Sequence, residues 1–248
     1  MRRSGWFSIA VILAWAATAF AALPRASMPE PSMKTIPPPA LEALRRALKQ
    51  ATALLPAPER PYVLHAEETR LEVDPVAPWD ARMKAWLRPG HASAVRSYDV
   101  PADAPGIPED LRRFVGPIEI TVELNGETRF PDLASEGGTP SLVPVKGATA
   151  VRVAVIAPEA AQGRMAAITP RQAEYRLAAI TIFVGDPAAE AAVRSAVKLR
   201  GEPRPATAHT SDPSEVQLIT VRIRGPLKPS EELARHIAGA SLRQLLRR

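Results

Sequence analysis

The chain is 248 residues long, has no cysteine and 27 prolines, and carries a formal net charge of +6 with 46% hydrophobic residues. Lack of cysteine excludes disulfide staples, thiol nucleophiles and thiolate metal sites, so the core must suffice alone, which this length allows. Two of the 32 basic residues lie in the first three positions, leaving 30 basic against 26 acidic side chains, a net +4; with 5% aromatics and no interleaved basic-aromatic motif, the composition predicts no nucleic-acid partner.

Arg2 and Arg3 precede an almost unbroken apolar run from Trp6 to Phe20, which ends in Ala19-Phe20-Ala21. A charged start, an apolar helix and a small-residue site form the pattern of a signal peptide covering residues 1–21. A second reading stands beside it. Gly5 to Leu23 is an uncharged run of 19 residues, about 28 Å of helix against a hydrocarbon core of about 30 Å, so the segment 5–23 also suits an uncleaved anchor. In both cases the leading arginines stay cytoplasmic and the remainder is exported. The expected location is therefore periplasmic or extracellular, with an inner-membrane anchor facing outward as the alternative. A membrane partner is expected only if the N-terminal helix is retained.

Residues 22–39 include six prolines and no apolar period, the composition of an extended spacer. Between Pro39 and Pro56, residues Leu41, Leu44, Leu48, Ala51 and Leu55 recur at spacings of three and four, predicting an amphipathic helix over 40–55. Short strands follow at Tyr62 to Leu64 and Thr69 to Val73. Trp79, Met83, Trp86 and Leu87 sit at helical spacing between Pro78 and Pro89, suggesting a short helix with an aromatic face. Trp79 and Trp86 are either core anchors or a platform for carbohydrate or peptide, the single candidate binding surface in the chain. A further strand is expected over 94–100.

Ile118 to Leu124 (IEITVEL) alternates strictly and is the clearest strand; Glu119 and Glu123 form its wet face. Asn125-Gly126 follows, a pair suited to a tight hairpin turn, with Glu127 to Phe130 as the returning strand. Pro131 to Gly147 is expected to be loop. Strands over 149–156 and 176–184 are apolar on both faces, as interior strands are. The second runs into Gly185-Asp186-Pro187, where Asp186 suits a helix cap and Pro187 the first turn of a helix ending near Lys198. Val216 to Arg224 repeats this strand-then-helix pattern through Gly225-Pro226 into a helix from about Ser230, with a break at Gly239. The connection over 201–214, with three prolines, is long enough to be functional or disordered.

Searches for chemistry find little to assemble. His65, His91, His209 and His236 are isolated, with no paired metal-ligand spacing. There is no phosphate-binding glycine loop and no GxSxG elbow. Ser195-Ala196-Val197-Lys198 has the SxxK spacing of penicillin-binding serine enzymes, but Ser211-Asp212-Pro213 lacks the asparagine of the second element and no Lys-Thr-Gly follows. No catalytic residue, metal or cofactor is therefore expected. The predicted fold is α+β, a largely antiparallel sheet of six to eight strands with helices packed on one face, in one domain over 40–248. The expected role is a non-catalytic binding or structural module of the cell envelope, acting on an envelope protein or polymer. The alternatives are an exported hydrolase with a nonlocal site and a membrane-tethered accessory subunit.

Overall fold

A computed structural model of the chain describes residues 31–65, 70–101, 104, 115–126, 140–154, 174, 177–199 and 208–246. The leader (1–21, or 5–23 as an anchor), residues 22–30 of the Pro-rich segment, the return strand expected at 127–130 and residues 201–207 of the 201–214 connection lie outside the described residues. Ser32–Arg248 forms one compact unit. Among the described residues no helix is long and apolar enough to cross a membrane.

The fold is α+β. Its body is an eight-stranded antiparallel sheet assembled from β2 (Val63–Leu64), β3 (Arg70–Val73), β6 (Ala92–Asp99), β7 (Ile118–Leu124), β8 (Pro140–Val145), β9 (Ala148–Ala154), β10 (Leu177–Val184) and β11 (Ile219–Pro226). The order is β2-β6-β7-β11-β10-β9-β8, with β3 pairing the same edge of β6 as β2. Strict alternation in β7 sends Ile118, Ile120, Val122 and Leu124 to one face, each at most 1% exposed. Register carries that face across the sheet: Val122 pairs Val221, which pairs Ile182, while Ile120 pairs Ile223, which pairs Ile180. Each such burial contributes about 1.5–3 kcal/mol, so this layer is the main source of stability.

Helix α1 (Pro38–Ala53) covers β3, β6 and β7, burying Leu44, Leu48 and Ala51. Its leucine stripe is the one the sequence shows. Pro38 occupies the first turn, where no amide hydrogen is needed, and the buried Thr52 hydroxyl donates to the Leu48 carbonyl at 2.8 Å. On the same face, α3 (Leu227–His236) and α4 (Gly239–Arg243) bring Leu233, Ala234 and Leu242 into the core. Helix α2 (Pro187–Leu199) instead packs Val193 and Ala196 on Val151 and Phe183. Because Phe183 alternates with Ile182, α2 lies on the opposite face. Asp186 caps it, accepting the Ala189 amide at 2.7 Å. The two similar strand-helix segments thus send their helices to opposite sides of adjacent antiparallel strands.

A second sheet of order β1-β4-β5 joins β1 (Ser32–Thr35), β4 (Val76–Asp80) and β5 (Ala85–Trp86). Two expectations fail here. The end of the Pro-rich segment is not spacer: Ser32–Thr35 pairs β4 residue for residue, and Ile36 is fully buried beside Leu44 and Trp86. The segment around Trp79 and Trp86 is not a helix but a hairpin. Their separation of seven suits one helical face, yet it equally makes them cross-strand partners around a four-residue turn. Turn chemistry decides: the Asp80 carboxylate accepts the amides of Arg82 and Met83, and Lys84 adopts φ +50°.

Three further expectations are corrected in the main sheet. Asn125-Gly126 does not return as a hairpin along β7, because β6 and β11 already occupy both of its edges. Within the expected loop 131–147, Pro140–Val145 is the edge strand β8, paired with β9 over six residues. It lacks a clear alternation signal because Pro140 and Pro144 interrupt it, as prolines do on edge strands. The last helix break lies at Ile237 and Ala238, with Gly239 opening α4. Its role there is close approach: a Cβ on Gly239 would stand 2.7 Å from the Gly147 carbonyl oxygen.

Candidate functional site

The two tryptophans predicted as a surface or a core anchor are brought together, edge to face, with ring centroids 5.1 Å apart. Trp86 is only 3% exposed and packs with Ile36, Leu44 and Ala77; Trp79 is half-buried, and the Lys34 ammonium lies 3.6 Å from its ring centroid. Such a contact holds a cation over the negative ring face and covers part of the surface a ligand would stack on. Trp86 also exchanges two backbone hydrogen bonds with Thr210, at 2.8 and 3.0 Å, which pins the chain arriving at β11 to the small sheet.

That arriving segment is held from its other side by Asn125. With φ +54°, Asn125 turns its buried side chain inward. Its amide donates to the carbonyls of Gly90 and Glu215, both at 2.9 Å, and its carbonyl oxygen accepts the amides of Gln217 and Leu218. Asparagine tolerates the left-handed backbone region and offers both donors and acceptors. The residue that suggested a turn is therefore a bracket joining three segments.

Between this segment and the start of α2 lies a cleft of about 370 Å³, lined by Asp186, His209, Glu215, Gln217, Arg243 and Leu246 among others. Four of its polar side chains, Asp186, Glu215, Gln217 and Arg243, are engaged within the fold. Asp186 caps α2. The Glu215 carboxylate accepts the Thr210 hydroxyl at 2.7 Å and the Gln217 amide at 3.3 Å, and Gln217 also closes both backbone groups of Ala208. Arg243 donates to the carbonyls of Gly185 and Gly147 at 2.9 and 3.0 Å and pairs with Glu190. Glu190, only 6% exposed, further accepts the Thr149 hydroxyl at 3.1 Å and faces Arg194 at 3.6 Å. This hub fastens α4 and α2 to one end of the sheet.

The other residues weighed from the sequence are placed apart. His65 pairs Asp99 and His91 pairs Asp74, both at 3.0 Å. His236 borders a smaller groove of about 150 Å³ with Tyr62, Lys228 and Glu232. Ser195 and Lys198 are exposed on α2, and neither lines a cleft described here. Glu119 is exposed as expected for a wet face, whereas Glu123 is half-buried and pairs with Arg222 at 3.2 Å. Among the described residues no three His, Asp or Glu side chains converge as metal ligands.

One perturbed carboxyl stands out. Asp80 is held below its ordinary value of 3.8, chiefly because the Met83 and Arg82 amides donate to it, with smaller help from the charges of His209 and Arg82. This is turn chemistry, not acid-base poise. Sequence reasoning missed the Glu190–Arg243 hub, whose members lie 53 residues apart; only the Asp186 cap was visible in advance. No family model, curated protein or solved structure matches the chain.

Proposed function

We propose that the protein is a non-catalytic binding or structural module of the cell envelope, exported by its N-terminal segment. The observation that carries this reading is the commitment of the larger cleft: Asp186 caps α2, Glu215 and Gln217 hold Thr210, Ala208 and each other, and Arg243 holds two backbone carbonyls and Glu190. A reactive carboxylate needs a partner that shifts its proton affinity and an opening toward substrate. These groups brace strands and helix ends instead. Export is supported by the arginine-led apolar run and small-residue site of residues 1–21. The partner is an envelope protein or polymer.

Mild cross-linking and recovery of the tagged full chain from the envelope fraction tests this reading. A partner recovered equally with Glu215→Gln and wild type supports it. Hydrolysis of an envelope substrate that disappears in Glu215→Gln would replace it with an exported hydrolase.

A further inference from the structure

The turn between β4 and β5 reads Asp80-Ala81-Arg82-Met83-Lys84, and all four residues from Ala81 to Lys84 are exposed. Met83 is 57% exposed at the tip of a hairpin, flanked on both sides by cations. On the same sheet Met33 is 58% exposed and Val76 37%. Strand alternation sends both to the side away from Ala77 and Trp79, which face the core. Lys34 lies on the opposite side of β1 from Met33, with its ammonium over Trp79, and the Asp80 carboxylate is turned in upon the Arg82 and Met83 amides.

Register fixes where this tip stands in the chain. Ser32 pairs Trp79 and Thr35 pairs Val76, so β1 begins at the end of the sheet where the β4–β5 turn projects. Ser32, the first residue of β1, therefore stands at the same end as Arg82-Met83-Lys84.

A convex tip of this size offers far less than the ~1,000 Å² that a specific protein interface needs. An apolar side chain between two cations instead matches a bilayer interface, where the apolar group enters the acyl boundary and the cations meet anionic headgroups. We propose that the β4–β5 tip is a peripheral membrane contact, with Met83 entering an anionic phospholipid surface while Arg82 and Lys84 bind its headgroups. The contact rests on the outward location proposed above but not on any envelope partner.

The chain has no cysteine, so Met83→Cys in the full-length protein gives a unique site for an environment-sensitive fluorophore. Vesicles of phosphatidylcholine alone, which carry no net headgroup charge, report the baseline. Vesicles with ~30 mol% phosphatidylglycerol should brighten and blue-shift the label at 83, and added salt should reverse the change. A label at Leu199→Cys, 82% exposed on α2, should stay unchanged. Adding Arg82→Gln and Lys84→Gln should weaken the response about fivefold per cation removed. Three results would each overturn the proposal: no response at 83, an equal response at 199, or a response indifferent to both glutamines. Circular dichroism confirms that each labelled variant is folded. Recovery of an envelope partner with the double glutamine variant reads out the functional proposal separately, because a lost lipid response beside an unchanged partner yield concerns the tip alone.

Discussion

The carbonyl oxygen of the Asn125 side chain accepts the backbone amide of Gln217 at 2.8 Å, across 92 residues of sequence. Together with its three other bonds this makes one side chain the clasp between β7, the turn at Gly90 and the entry to β11. Asn125→Ala strands two carbonyls and two amides in a buried site and places alanine at positive φ. Guanidinium unfolding should show a loss of about 3 kcal/mol or more. Asn125→Asp should be worse at neutral pH, because an ionised carboxylate would face the Gly90 and Glu215 carbonyls. Its deficit should shrink as acid protonates the new group, and a deficit independent of pH would count against the assigned amide orientation.

The close approach of Gly147 and Gly239 predicts a second, local sensitivity. Gly239→Ala brings a Cβ within 2.8 Å of Ala148 Cβ as well as against the Gly147 carbonyl, and backbone cannot yield cheaply. A loss of about 1–3 kcal/mol is expected by thermal or chemical denaturation. Gly116→Ala, where nothing lies within 4 Å of the added atom, should be neutral or slightly stabilising and serves as control.

Breaking the hub at the sheet end should loosen the C-terminus before the rest of the body. Glu190→Ala removes the acceptor of the Thr149 hydroxyl and one of the three acceptors of Arg243, and a loss of about 1–3 kcal/mol is expected after allowing for the half-exposed arginines. Arg243→Lys should recover only part of the lost order, since a single ammonium cannot span Gly185, Gly147 and Glu190 together. Amide exchange of α4 should quicken in both variants while β6 and β7 stay protected.

Asp80 gives the β4–β5 turn a pH dependence of known sign. Its folded affinity for protons is reduced, so its contribution is present in full above the ordinary value of 3.8 and fades as pH falls through the lower folded value. The turn should loosen only in strong acid, seen as rising mobility of a label at residue 83. Asp80→Asn should abolish that acid-dependent step, since an amide there has no proton to gain over the range.

What could be foreseen in this chain follows the range over which each signal acts. The α1 stripe, the alternation of β7 and the Asp186 cap are local, and each was legible from a handful of residues. The Trp79–Trp86 hairpin was misjudged because seven residues satisfy a helical face and a cross-strand pair alike, and the deciding carboxylate-to-amide bonds of Asp80 leave no period behind. Asn125-Gly126 carried turn chemistry correctly, since Asn125 does adopt positive φ, but its use depends on β11, nearly a hundred residues later. The cleft beside Asp186 escaped notice for the same reason: Glu215, Gln217 and Arg243 meet it only through long-range closure.

Strand order also dictates the sequence of assembly. β11 lies between β7 and β10, so a chain ending before Ile219 would hold two unconnected half-sheets, one of β2, β3, β6 and β7 and one of β8, β9 and β10, each with a raw central edge. The strand that unites them leaves the ribosome after every other strand among the described residues. Loop closure on this scale slows folding, and until it happens both open edges invite pairing with other chains. The sheet therefore remains open, and in need of protection from its neighbours, until β11 has been made.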